Sequence, residues 1–217
     1  MIQINTFPFN PFQCNCYVLW DETNEAILVD VSFSSEAEYN TLNKFLKSKD
    51  LNVVGAYNTH CHFDHCFGAP FLKEHHNLDY AAHKDGILFT ENAAKQASVY
   101  GMKIDEILPP SIFIDEGDTI KFGHSELKIL NTPGHADGSL CFVSEKDEFV
   151  ITGDVLFRES IGRTDLPTGN LDVLLASIHN KLFKLPDNFV VYPGHGPQST
   201  IAHEQTNNPF LHFGEVH

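Results

Sequence analysis

Positive charge is scarce in this chain: 14 Lys and Arg stand against 29 Asp and Glu, for a formal charge of −15. Phosphate recognition needs clustered Lys and Arg, and no short window holds such a cluster, which argues against a nucleic-acid partner. No apolar run approaches the ~20 residues that cross a bilayer, which argues against a membrane partner. Residues 1–6 lack the basic start and apolar stretch of a signal peptide. The five cysteines, Cys14, Cys16, Cys61, Cys66 and Cys141, are an odd and sparse set for a disulfide framework. A reducing cytoplasm is therefore the expected compartment. Short repeats, low-complexity tracts and Gly/Ser linkers are missing too. One domain over residues 1–217 is the simplest organisation.

What is present is the rhythm of an α/β protein. Strand-like runs at 14–20 and 26–31 flank a turn-prone Asp21-Glu22-Thr23-Asn24. Ser35-x-x-Glu38 has the form of a capping box, and Tyr39, Leu42, Phe45 and Leu46 share a helical face behind it. A strand over 51–58 follows. Helices are predicted at 67–76 and 84–100, with a short strand at 78–82 between them. Short strands at 112–115, 119–122 and 126–130 lead to a hairpin, 140–144 with 148–152. Asn170 then caps a helix carrying Leu171, Leu174, Leu175, Ile178 and Leu182, which Pro186 ends, and a last strand covers 189–192.

The chemistry lies where strands give way to loops. His60, His62, Asp64 and His65 fall within six residues. His135 follows in Thr-Pro-Gly-His, Asp154 in Thr-Gly-Asp and His195 in Pro-Gly-His-Gly. Neutral imidazoles and carboxylates on strand-end loops make a site for one or two divalent ions. The spacing assigns His60, His62 and His135 to one ion and Asp64, His65 and His195 to another. Asp154 could bridge them, since both its oxygens carry lone pairs. Two bridged ions lie about 3.5–4 Å apart. Zinc is the first choice, with iron and manganese as alternatives. Cys14 and Cys16 read as packed thiols rather than ligands, and Cys61 should point away from its neighbours' metal. His75, His76, His83, His124, His179, His203, His212 and His217 are left unassigned.

His-x-His-x-Asp-His, then Thr-Pro-Gly-His, Thr-Gly-Asp and Pro-Gly-His-Gly, resembles the metallo-β-lactamase superfamily, in order along nearly the whole chain. The resemblance implies a four-layer αβ/βα sandwich: two facing mixed β-sheets, helices on the outer faces, and metals at one edge. Residues 152–167, with Gly162-Arg163-Thr164-Asp165, and the tail Glu204-Gln205-Thr206-Asn207-Asn208-Pro209-Phe210 are similar to a short bacterial group of glyoxalase-II-like hydrolases. Such enzymes hydrolyse S-acylglutathione thioesters. Full-length glyoxalase II carries a helical C-terminal domain that contacts glutathione; only 22 residues follow His195 here. Arg163 stands where the longer enzymes place a carboxylate-binding lysine, and Asp165 where they place a tyrosine. Arg163 is thus a substrate-binding candidate, with a structural Arg163–Asp165 pair as the competing role.

The expected function is hydrolysis of a small-molecule thioester by a metal-bridging hydroxide, with Asp64 orienting the nucleophile or taking its proton. A thiolate leaves without a strong general acid, because its free pKa is about 8.5. A persulfide dioxygenase of the same fold is the alternative; it would use one iron on His60, His135 and Asp154. β-Lactam and RNA hydrolysis are disfavoured, and a structural zinc module would need closed four-coordinate sites. No residue pattern specifies an oligomeric state.

Overall fold

A computed structural model describes residues 1–211. Six strands form the first sheet in sequential order: β1 (Gln3–Phe9), β2 (Cys14–Trp20), β3 (Glu25–Val29), β4 (Asn52–Tyr57), β5 (Tyr80–Ala82) and β6 (Ile112–Phe113). Strands β1 to β3 are antiparallel, whereas β3 to β6 run parallel. The chain then builds β7 (Thr119–Phe122), β8 (Ser125–Asn131), β9 (Leu140–Ser144) and β10 (Phe149–Gly153). A two-stranded ribbon follows, β11 (Leu156–Phe157) with β12 (Ser160–Ile161), and then β13 (Val190–Pro193) and β14 (Ser199–Thr200). The second sheet has the order β14-β13-β10-β9-β8-β7, with β10 and β13 parallel and its other pairs antiparallel.

Side-chain alternation explains why the sheets stack. Successive residues of a strand point to opposite faces. On β2, Tyr17 and Leu19 face the second sheet and meet Ile120, Phe142 and Ile151. Cys16, Val18 and Trp20 face outward, where helix α1 (Glu36–Ser48) covers them with Tyr39, Leu42 and Leu46. Both faces of β2 are buried, so the strand reads as an unbroken apolar run. Helices α2 (Phe63–Cys66), α3 (Ala69–His76), α4 (Ile87–Glu91) and α5 (Ala93–Val99) continue on the first sheet's side. Beyond the second sheet, Val143, Val150 and Val191 pack on Leu174, Ile178 and Leu182, which lie in or after α6 (Leu171–Asn180). Helix α7 (Ile201–Asn207) closes that side. The result is the helix–sheet–sheet–helix sandwich that the resemblance implied.

Several elements differ from the sequence reading. The helix over 84–100 is three pieces: a 3-10 turn at Lys84–Gly86, then α4 and α5. Asn92 makes the second break. Its side-chain amide donates to the carbonyl of Leu88 at 2.8 Å, a local bond that competes with helix continuation. The helix begun at Asn170 ends at Asn180, and Leu182 sits in a separate 3-10 turn before Pro186 is reached. Strand β1 carries Pro8, which an edge position tolerates. Ser35 caps α1 as expected, accepting from Glu38 N at 3.4 Å. The Glu38 carboxylate does not close the box on Ser35. It accepts from the N–H groups of Ser34 and Asn10, both at 2.7 Å, and so ties the helix to the β1–β2 turn. His212 and His217 lie outside the described residues.

Candidate metal centre

Four strands deliver the candidate ligands to one edge of the sandwich: β4 leads to the His60 loop, β8 to His135, β10 to Asp154 and β13 to His195. The His60 loop is fixed from beneath. Asn58, fully buried, donates to the carbonyl of His65 at 2.7 Å and holds α2 against the strand end. Asp30, at the end of β3, accepts from Thr59 N at 2.7 Å. Helix α2 begins immediately after His62, so Asp64 and His65 lie on its first turn.

Two clusters form. In the first, His62 Nδ1 lies 3.1 Å from His60 Nε2 and 2.9 Å from His135 Nε2. In the second, Asp64 Oδ2 is 3.3 Å from His195 Nε2 and 3.8 Å from His65 Nε2. Asp154 stands between them. Its Oδ1 is 3.5 Å from His65 Nε2, while Oδ2 is 3.6 Å from His195 Nε2 and 3.7 Å from His135 Nε2. The seven candidate side chains thus lie together at one edge: His60, His62 and His135 form one group, Asp64, His65 and His195 with Cys14 another, and Asp154 groups with His60 and His65.

The far ring nitrogens explain the aim of the near ones. His135 Nδ1 donates to the carbonyl of Arg163 at 2.9 Å, and His195 Nδ1 to the carbonyl of Phe12 at 3.0 Å. A carbonyl only accepts, so each Nδ1 carries the proton and each Nε2 turns a lone pair toward the cluster.

The electrostatics suit a cation. Burial, then the neighbouring His65 and His62, holds His60 far below the usual imidazole range. Burial and His135 pull His62 down to about 3. Burial would raise the carboxyls of Asp64 and Asp154, but His65 and His195 outweigh it and hold both below their ordinary value. Burial works against a charged His65, yet the carboxylates of Asp30, Asp154 and Asp64 outweigh it and push its pKa up. The two buried carboxylates demand positive charge, and a divalent ion supplies it. His65 Nε2 and Asp154 Oδ1 are buried with no hydrogen-bond partner. Orphaned buried groups facing one another are costly unless a further ligand satisfies them. The donor set therefore fits metal ions, and its imidazole and carboxylate chemistry accepts zinc, iron or manganese.

Some contributors escaped the sequence reading. Cys16 packs in the core as expected, and Cys61 lies there too, outside both clusters. Cys14 departs from its packed-thiol reading: its Sγ lies within 4.8 Å of the Asp64, His65 and His195 ligand atoms. The β1–β2 turn and a β-bridge from Cys14 to His195 bring it there. Burial pushes this thiol up to about 12. Asp30 was also overlooked, although an aspartate closing the apolar run of β3 was a visible signal. Arg163 borders the cavity above the centre, paired to Asp165 through Nε–Oδ1 at 2.7 Å and Nη2–Oδ2 at 2.8 Å.

That cavity has a volume of about 610 Å³, with His62, Asp64, His135, Asp154 and His195 among its lining residues. A family profile described as the metallo-beta-lactamase superfamily matches residues 9–195. The chain belongs to that superfamily. It is 36% identical over 213 residues to hydroxyacylglutathione hydrolase GloC of Haemophilus influenzae, covering 97% of this chain and 98% of that protein. Among solved structures, BLEG-1 B3 metallo-β-lactamase is similar at a TM-score of 0.88 and 33% identity, covering 97% of this chain and all of the other. TTHA1623 in a di-iron-bound form is similar at 0.84 and 32% identity, over 95% of this chain and all of that one. A superfamily hydrolase with a His/Asp metal centre is therefore the coarse identity. Among the described residues no helix is long and apolar enough to cross a membrane.

Proposed function

We propose that this chain is a dinuclear metal-dependent thioesterase acting on a small S-acylglutathione-type substrate. The observation that carries the reading is Asp154, whose carboxylate lies 3.7 Å from His135 in one donor cluster and 3.5 and 3.6 Å from His65 and His195 in the other, beside one cavity. The hydroxyacylglutathione hydrolase named among its relatives supports the substrate class. His60, His62 and His135 would hold one ion, Asp64, His65 and His195 the other, and Asp154 both. Zinc is the proposed metal, and the di-iron neighbour makes iron its competitor. Five free thiols support the cytoplasm as the compartment.

Held by these residues, divalent ions would supply a bound water with a pKa of about 7 and polarisation of a thioester carbonyl. Asp64, ionised at the cavity floor, orients the attacking water and accepts its proton. The thiolate departs unprotonated, its free pKa being about 8.5. Phe12 and Phe63 in the cavity wall limit access of bulk water to the acyl group. A one-iron dioxygenase on His60, His135 and Asp154 would leave His62, Asp64, His65 and His195 without a metal role. The similarity to a B3 metallo-β-lactamase favours β-lactam hydrolysis as a second reading.

The test is metal content of the purified protein combined with an activity panel of lactoylglutathione, a chromogenic cephalosporin, and glutathione persulfide with an oxygen electrode. Two metal equivalents with thioester cleavage are expected. One iron with oxygen uptake, or cephalosporin turnover alone, would overturn the proposal.

A further inference from the structure

The cavity wall formed by α4 and α5 has a pattern that the metal chemistry does not use. Leu88, Asn92, Lys95, Gln96 and Val99 all border the cavity. Their spacing, i, i+4, i+7, i+8 and i+11, is one helical face carried across the break at Asn92. The middle of that face is polar: an ammonium flanked by two carboxamides. Asn92 spends its N–H on Leu88 and keeps its side-chain oxygen for another partner. Lys95 makes no ion pair among the described residues, where the other paired basic side chains are Lys73, Lys128, Arg163 and Lys181.

Charge decides which rim cation recruits an anion. On the proposed reading the floor, lined by Asp64, His135, Asp154 and His195, receives the thioester carbonyl, so an anionic group at the far end of the substrate is gripped at the rim. Arg163 is there, but Asp165 engages two corners of its fork and Tyr100 Oη accepts from Nη1 at 3.1 Å. Its net charge is cancelled in place. A second carboxylate arriving at Arg163 would meet Asp165 already seated, whereas Lys95 offers an unneutralised ammonium. On the basis of the thioesterase reading, we infer that the Asn92–Lys95–Gln96 face of α5 binds the anionic, amide-bearing thiol arm of the substrate, with Lys95 as its anion contact. Asn92 and Gln96 supply an acceptor and a donor–acceptor pair for the amides of that arm.

The experiment compares two thioesters with the same acetyl group, S-acetylglutathione and the neutral S-acetyl-N-acetylcysteamine, on the metal-loaded enzyme. An exposed ion pair is worth up to ~1 kcal/mol, or about fivefold. Lys95→Ala should raise the KM of the anionic thioester about fivefold relative to the neutral one. Lys95→Glu should raise it further, and Lys95→Arg should restore it. Calorimetric titration of the non-hydrolysable thioether S-hexylglutathione should weaken in parallel, with and without metal. An unchanged KM ratio in Lys95→Glu overturns the inference, as does a ratio that moves with Arg163→Ala and not with Lys95→Ala. Lys95-dependent thioether binding without cleavage of either thioester would sink the thioesterase reading and leave the subsite standing.

Discussion

His65 Nδ1 lies 3.1 Å from Asp30 Oδ2, and both side chains are fully buried. The approach brings a carboxylate on the end of β3 against the back of an imidazole whose front faces Asp154. Asp30 also accepts from Thr59 N at 2.7 Å and Thr59 Oγ1 at 2.9 Å, so its position is fixed from the neighbouring strand end. Supporting carboxylates of this kind set the tautomer and orientation of a ligating histidine. Asp30→Asn is expected to weaken metal binding by about 10–100-fold. Chelator-competition titration of the purified variant measures it, and unchanged affinity would show that Asp30 does not aim His65.

Metal removal should cost stability as well as activity. An ion held at 100 times its Kd adds about 2.7 kcal/mol to the folded state, which for a chain of this size is about 5–10 °C in melting temperature. Dialysis against a chelator should lower the Tm by that amount and abolish turnover, with both restored on adding metal back. A melting curve indifferent to the chelator would count against the centre.

At Gly194 the backbone passes close to the Asp154 carboxylate. A methyl group built on it would collide with Asp154 Oδ1 and come 2.9 Å from His65 Cε1. Gly194→Ala should therefore displace the Asp154 carboxylate and lower the metal content relative to the parent protein, while the far-ultraviolet circular dichroism stays unchanged. Full metal content in that variant would contradict the tight fit.

Glu204 ties the second sheet's outer helix to the loop that carries Arg163. Its buried carboxylate accepts from Glu159 N at 2.9 Å, Asn208 Nδ2 at 2.8 Å and the Ser199 hydroxyl. Removing it leaves buried donors unsatisfied at ~1–3 kcal/mol each. Glu204→Ala should lower stability by about 3 kcal/mol in urea unfolding. A loss below about 0.5 kcal/mol would show that water replaces the carboxylate.

Acid should reveal Asp21. Burial opposes its charge, but Thr23 N at 3.0 Å, Thr23 Oγ1 at 2.6 Å, Ser125 Oγ at 2.8 Å and His124 N at 2.7 Å outweigh that and hold its pKa below the ordinary carboxylate range. The unfolded chain then binds the proton more readily than the folded one. The stabilisation is present above the unfolded pKa of about 3.9 and is lost as pH falls through the folded value. Asp21→Asn should cost about 2 kcal/mol at pH 7 and progressively less below pH ~4. Urea midpoints of both proteins at pH 7 and pH 3 decide it; a constant difference would mean that Asp21 acts without its charge.

The ligand set was legible because it is written in short segments. His60-x-His62-x-Asp64-His65 needs only a loop and one helical turn, and each of His135, Asp154 and His195 closes a segment that ends a strand. Strands β2, β7 and β9 and helix α1 were also readable, since their apolar period or run is local. Elsewhere local rules lost. Asn92 broke an amphipathic pattern through its own side chain, and β1 joined the sheet at an edge that its proline permits.

By itself, then, the sequence determined which side chains are suited to metal chemistry and which elements bear them, because both follow from neighbours a few residues apart. Only the tertiary structure decided that Asp30 stands behind His65, that Cys14 borders the second cluster, and that Asp165 neutralises Arg163 while Lys95 stays unpaired on the rim. Those relationships join strands and helices remote in the chain, and they are set by how two twisted sheets pack. No periodicity along a single segment encodes them.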